Sequence, residues 1–179
     1  MFQPDTQFLI DHWTGLSQSP ATRGGIPSRK AFEPQTMGLR LPRILLADRL
    51  GDAPCLRLAG GWIEAFHGQP LKDRPLSSLW TSASGALVSA AIARSVREAR
   101  PVVVIATVGA AASPIEVVFA PLRGSSGEPD RILGLYAPSE TLALTRDESR
   151  LLTARLSVGA GAPARAPLSL AAVGGRRLA

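Results

Sequence analysis

Three apolar, β-branched runs crowd into residues 102–136 with no helix-length segment between them. Val102 to Val108, Ile115 to Ala120 and Arg131 to Tyr136 each have the composition of a strand. The turns between them, around Gly109 to Pro114 and Gly124 to Pro129, are short enough for an antiparallel meander. A regular βαβ sheet, which repeats strand and helix along the whole chain, is thereby excluded.

The upstream half supplies the rest of one sheet. Arg43 to Leu50 is an apolar run too short for a typical helix, Gly51-Asp52 reads as a turn, and Cys55 to Ala59 alternates in the half-buried strand pattern, so the two runs form a hairpin. Trp62 and Phe66 follow at helical spacing, with Gly68 where a helix end wants positive φ. Ser82 or Ser84 caps a longer helix to about Arg100, with Val88, Ile92, Val96 and Ala99 on its buried stripe and Pro101 as its stop. The order of two strands, helices and three strands is α+β: a five-stranded antiparallel sheet with helices on one face. Gln7 to Trp13 precedes it as a short amphipathic helix that stops by Gly15, followed by an extended arm from Ser17 to Pro34. Three regions result: helix and arm over residues 1–40, the core over 41–140, and an extension over 141–179. Leu151 to Leu156 can add a further helix or strand, and the Ala-, Gly-, Pro- and Arg-rich remainder after about residue 158 reads as flexible.

Charge separates the same regions. The formal net charge of +6 comes from four basic and three acidic residues over 1–40, ten and nine over 41–140, and six and two over 141–179. A nucleic-acid reader gathers Lys and Arg on one face of its folded domain; here the core is near neutral, so nucleic acid is not expected as a partner. The alternative is a nucleic-acid-associated protein that uses tail residues Arg155, Arg165, Arg176 and Arg177 for phosphate contacts. No run reaches the roughly 20 apolar residues of a membrane span and the N-terminus lacks a signal-peptide pattern, so no membrane insertion and a cytoplasmic location are expected.

Chemistry-bearing residues are sparse. A single cysteine, Cys55, excludes an internal disulfide, and two histidines, His12 and His67, in different elements give no metal or acid–base cluster, so no catalytic residue, no metal and no enzyme are expected. His67 precedes Gly68 and reads as a capping or surface hydrogen-bonding residue. Gly60-Gly61 lacks the Lys-Ser/Thr of a phosphate loop and reads as a tight strand-to-helix connection. The inward faces present Trp62, Phe66, Leu87, Ile92, Val104, Val117 and Tyr136, which line any small-ligand pocket the core keeps. Phe8, Leu9 and Trp13 make the N-terminal helix an interaction element, because a helix this short needs a partner surface.

The combination of Trp13, Ile26-Pro27-Ser28-Arg29 with Phe32-Glu33-Pro34, Leu41-Pro42-Arg43-Ile44, Arg57-Leu58-Ala59-Gly60, Phe66-His67-Gly68, Leu79-Trp80, Ala120-Pro121-Leu122 and Arg131-Ile132-Leu133-Gly134 resembles the small stand-alone PAS-domain proteins of alphaproteobacteria. The resemblance runs from about Trp13 to Pro138. Gly61 stands where Thr is usual, and Asp73 near a position that is commonly Gly. The resemblance implies a PAS-like fold and a sensory or signalling role without catalytic residues. It implies a signalling partner in trans, homodimer pairing through the N-terminal helix and outer sheet face as one option, and an unknown small ligand as modulator. Cys55 lacks the Asn-Cys-Arg context of the light-sensing subfamily, and the long helix that carries the haem ligand in some members has no histidine, so neither flavin nor haem is expected as cofactor.

Overall fold

A computed structural model of the chain describes residues 1–22, 25–49, 53–139, 142, 148–161, 172–173 and 176–177. Helix α1 (Pro4–Gln18) is followed by a 3₁₀ turn at Arg29–Ala31 and a kinked 3₁₀ stretch at Pro34–Arg43. Strands β1 (Ile44–Asp48) and β2 (Cys55–Ala59) form the expected hairpin. Helices α2 (Gly61–His67) and α3 (Gly85–Arg97) come next. The meander β3 (Val102–Val108), β4 (Ser113–Leu122) and β5 (Arg131–Pro138) then completes the five expected strands.

The sheet is antiparallel, in the order β2-β1-β5-β4-β3, with β6 (Thr153–Gly159) added at the β3 edge. That sixth strand falls in the segment for which the sequence left helix and strand open. A separate two-stranded pair joins β7 (Ala172–Val173) to β8 (Arg176–Arg177). Of the rest of the expected flexible tail, Gly159 ends β6 and Ala160 is buried, while the residues after Gly161 other than these two strands, Arg165 included, lie outside the described residues.

Strand alternation sorts side chains to two buried faces. The inner face carries Leu45, Ala47, Val102, Val104, Val117, Phe119, Ile132 and Tyr136 and packs against α2 and α3. The outer face carries Ile44, Val103, Val118, Ala120, Leu133 and Leu135 and packs against Leu9, Ile10 and Trp13 of α1, with Phe32 and Met37 of the arm. Helices α2 and α3 share one face as expected, and α1 takes the other. Helix α1 runs through Gly15, where the sequence suggested a stop, because Gly15 faces open space while Leu16 and Ser17 still find contacts beyond it. An exposed helical glycine costs only about 1 kcal/mol, less than burying those residues recovers.

Candidate functional site

Helix α2 starts close against the 3₁₀ stretch because Gly60 has no side chain: a Cβ there would collide with the Pro42 carbonyl. The Gly60-Gly61 connection is thus a packing feature. The helix ends as expected at Gly68, whose φ of 68° is left-handed. Between these glycines, Trp62 and Phe66 stack at 5.2 Å and meet Tyr136 of β5 edge-on, at 6.4 and 6.2 Å. Asp73, near the position the resemblance gives to glycine, is also left-handed, with φ 64°.

His67 turns inward, and not to the surface or a cap as its place before Gly68 suggested. Its Nε2 lies 3.2 Å from the Tyr136 hydroxyl. Burial, helped by the positive charge of Arg150, pushes the His67 pKa down from 6.5 to about 4, and burial pushes that of the Tyr136 phenol up. Both groups are therefore neutral at pH 7, one polar pair among aromatic rings. The Trp80 indole N–H, buried in the same cluster, has no hydrogen-bond partner among the described residues.

All seven candidate lining residues sit in or against this inner cluster. Phe66, Ile92, Val104, Val117 and Tyr136 are buried in it, and Trp62 and Leu87 are half-buried against it. The cluster thus holds neutral hydrogen-bonding groups in an apolar setting. Groups of three or more metal-ligating side chains are absent among the described residues. Cys55 lies away from the cluster, half-buried at the start of β2, with its thiol 3.5 Å from the Arg74 carbonyl.

On the other face, Leu9 and Trp13 are buried and the Trp13 indole donates to the Pro121 carbonyl at 2.7 Å. Phe8 is half-buried, stacked on His12 at 6.2 Å and covered by the Arg40 guanidinium at 4.0 Å. Asp5 holds Arg40 at 2.8 Å and Arg43 at 2.9 Å. The three α1 residues expected to make an interaction thus pack on the chain's own outer cluster. Beside α1 the outer face stays open: Leu156 and Val158 of β6 pair with Ile105 and Val103 of β3 and remain 48% and 40% exposed. Arg155 of the basic tail is exposed on the same strand, with Nε 3.1 Å from the Thr107 hydroxyl.

Among the described residues, three open clefts stand out on the surface. One of about 430 Å3 runs from Asp5 and Arg43 to Trp62 and Pro138. A second, about 410 Å3, includes Asp48, Cys55 and Lys72. The third, about 330 Å3, collects Arg29, Lys30, Arg57, Arg123 and Arg131. Regional charge counts do not show this grouping: cations of the arm and of the near-neutral core, spread over a hundred residues, converge at one corner. No local sequence signal marks it.

Among the described residues no helix is long and apolar enough to cross a membrane. A family model described as a PAS domain matches residues 1–137. No curated protein matches the sequence. Among solved structures, a light-oxygen-voltage domain whose mechanism was studied with a flavin analogue is 11% identical, covering 70% of this chain and 88% of that one at a TM-score of 0.46. The light-oxygen-voltage (LOV) protein of Rhodobacter sphaeroides is 18% identical, covering 55% and 60% at 0.44. The PAS domain of a Colwellia psychrerythraea protein is 14% identical, covering 56% and 87% at 0.44. Flavin, set aside on the sequence context of Cys55, is not to be set aside: light-oxygen-voltage domains recur among these similar structures.

Proposed function

The chain belongs to the PAS-domain family, whose members are sensory, non-catalytic modules, and from that premise we propose that it is a cytoplasmic signalling adaptor of the small alphaproteobacterial kind. Its signalling core occupies residues 41–140, with the helix and arm of 1–40 and the extension of 141–179 as flanks. Output passes by protein contact through the outer sheet face beside α1. A second copy of the chain is the first partner to test, and a signalling protein in trans the next. A small apolar or mixed ligand at the inner aromatic cluster modulates that contact.

One observation carries the reading: Ile105, Leu156 and Val158 continue the apolar outer face past the edge of α1 into solvent, and exposed apolar continuations of a core mark interaction surfaces. The inner ligand is supported by the unpartnered Trp80 indole N–H and the His67–Tyr136 pair, since buried donors are normally satisfied. Native mass spectrometry of the full chain purified from its own host, compared with the same sample denatured, tests both parts. The expected result is a complex larger than one chain and a small added mass lost on denaturation. A bare single-chain mass in both conditions overturns the reading.

A further inference from the structure

We propose that the third cleft, at the corner formed by the arm, β2 and the β4–β5 turn, binds the phosphate groups of a soluble small molecule. This site is distinct from the inner cluster and does not depend on the function proposed above. Its cations come from four places: Arg29 and Lys30 from the arm, Arg57 from β2, Arg123 from just beyond β4, and Arg131 from the start of β5, with Leu46 of β1 as an apolar wall. No carboxylate lines it. Asp48 pairs with Arg57 at 3.0 Å and with Arg131 at 3.2 Å, and Asp130 approaches Arg131 at 3.4 Å. Arg29, Lys30 and Arg123 have no carboxylate within ion-pair distance among the described residues.

The backbone builds this corner. The Arg29 N–H donates to the Arg123 carbonyl and the Arg123 N–H to the Pro27 carbonyl, each at 2.8 Å, which ties the arm to the end of β4. A β-bulge between Leu46 and Ala47 shifts the β1–β2 register where Arg57 reaches Asp48. Gly124 turns the chain where a Cβ would run into the Asp130 carboxylate. Two guanidinium groups are held in advance: Arg123 donates from Nε to the Ile26 carbonyl at 3.2 Å and from Nη1 to the Gly127 carbonyl at 2.7 Å. Arg29 donates from Nη1 to the Phe32 carbonyl at 3.1 Å and lies over the Phe32 ring. Fixing these long side chains beforehand lowers the ordering cost of binding.

Three unneutralised cations around about 330 Å3 exceed what one carboxylate can balance, whereas a phosphate group brings roughly −1.5 to −2 charges and three acceptor oxygens. Planar guanidinium forks match those oxygens, and the volume lies at the small end of small-molecule sites, about 300–1,000 Å3. Nucleic acid would call for cations spread along a face, while these converge.

Isothermal titration of the full chain with pyrophosphate is the test. The expected result is binding of one pyrophosphate per chain, weakened at least tenfold by Lys30→Glu with Arg57→Glu. The charge-matched control, Lys72→Glu with Arg97→Glu, keeps wild-type affinity. Should the first pair fail to fold, Lys30→Glu alone, at an exposed site, carries the test with at least a threefold loss. Absence of binding, or equal losses in test and control variants, overturns the proposal. So does binding found only with duplex DNA or with phosphatidic-acid vesicles, because either places the phosphate on an extended surface.

Discussion

The two faces of the sheet are both apolar, yet they are closed in different ways. The inner face is covered by α2 and α3, which lie between β2 and β3 in sequence, and its aromatic cluster encloses a polar pair. The outer face is covered by a helix from the far N-terminus, fastened by Trp13 to Pro121 across 108 residues and by Asp5 to Arg40 and Arg43. The inner face is closed by these helices and by Leu152 from the extension; the outer one leaves apolar surface at the β6 edge and a basic corner at the β1–β2 edge. The same strand alternation supports both, so the difference lies in what the connections bring.

Substitutions that empty the inner face should cost most. Phe119→Ala, at a fully buried position, is expected to lower stability by about 3–5 kcal/mol in urea unfolding. A cost near that of a surface change would mean the cluster is not packed as described. On the outer face, Trp13→Ala should cost about 3 kcal/mol. Trp13→Phe keeps most of the burial but strands the Pro121 carbonyl, for about 1–2 kcal/mol. A Trp13→Phe variant as stable as wild type would remove the hydrogen bond from the comparison, and equal costs of the two variants would remove the burial.

Acid acts on both faces, because burial also lowers the His12 pKa on the outer one, but the large shift belongs to the inner histidine. His67 is held at about 4 in the folded chain against an ordinary 6.5, so as pH falls the unfolded chain takes up this proton first. Its contribution is constant above about pH 6.5, declines as pH drops toward 4, and levels off below. The stability difference between wild type and His67→Gln should change only across that window; parallel pH curves would place His67 in water. The smallest effect belongs to Asp5→Asn. Its partners are partly exposed, so a loss of at most about 1 kcal/mol is expected, shrinking as salt is added.

Much of this was legible in the sequence because period, turn chemistry and strand length are local. The meander, the β1–β2 hairpin, the helix end at Gly68 and the membership of the inner cluster all follow from spacing. What was not legible depends on tertiary contact. Helix α1 outruns Gly15 because the sheet rewards its next turn. Ser84 sits at the start of α3 without capping it, since its hydroxyl binds Thr81 and receives the Ala154 N–H from β6. His67 turns inward because Tyr136, 69 residues on, waits there. The basic corner escaped because regional charge counts average away residues that only the fold brings together.

Sedimentation velocity of the full chain against Leu156→Asp with Val158→Asp tests most directly whether the open part of the outer face is where another copy sits. Both positions are exposed, so the substitutions leave the core alone. Concentration-dependent association of the wild type and an 18.8 kDa monomer for the variant is the predicted result. Identical sedimentation of the two at every concentration would contradict it.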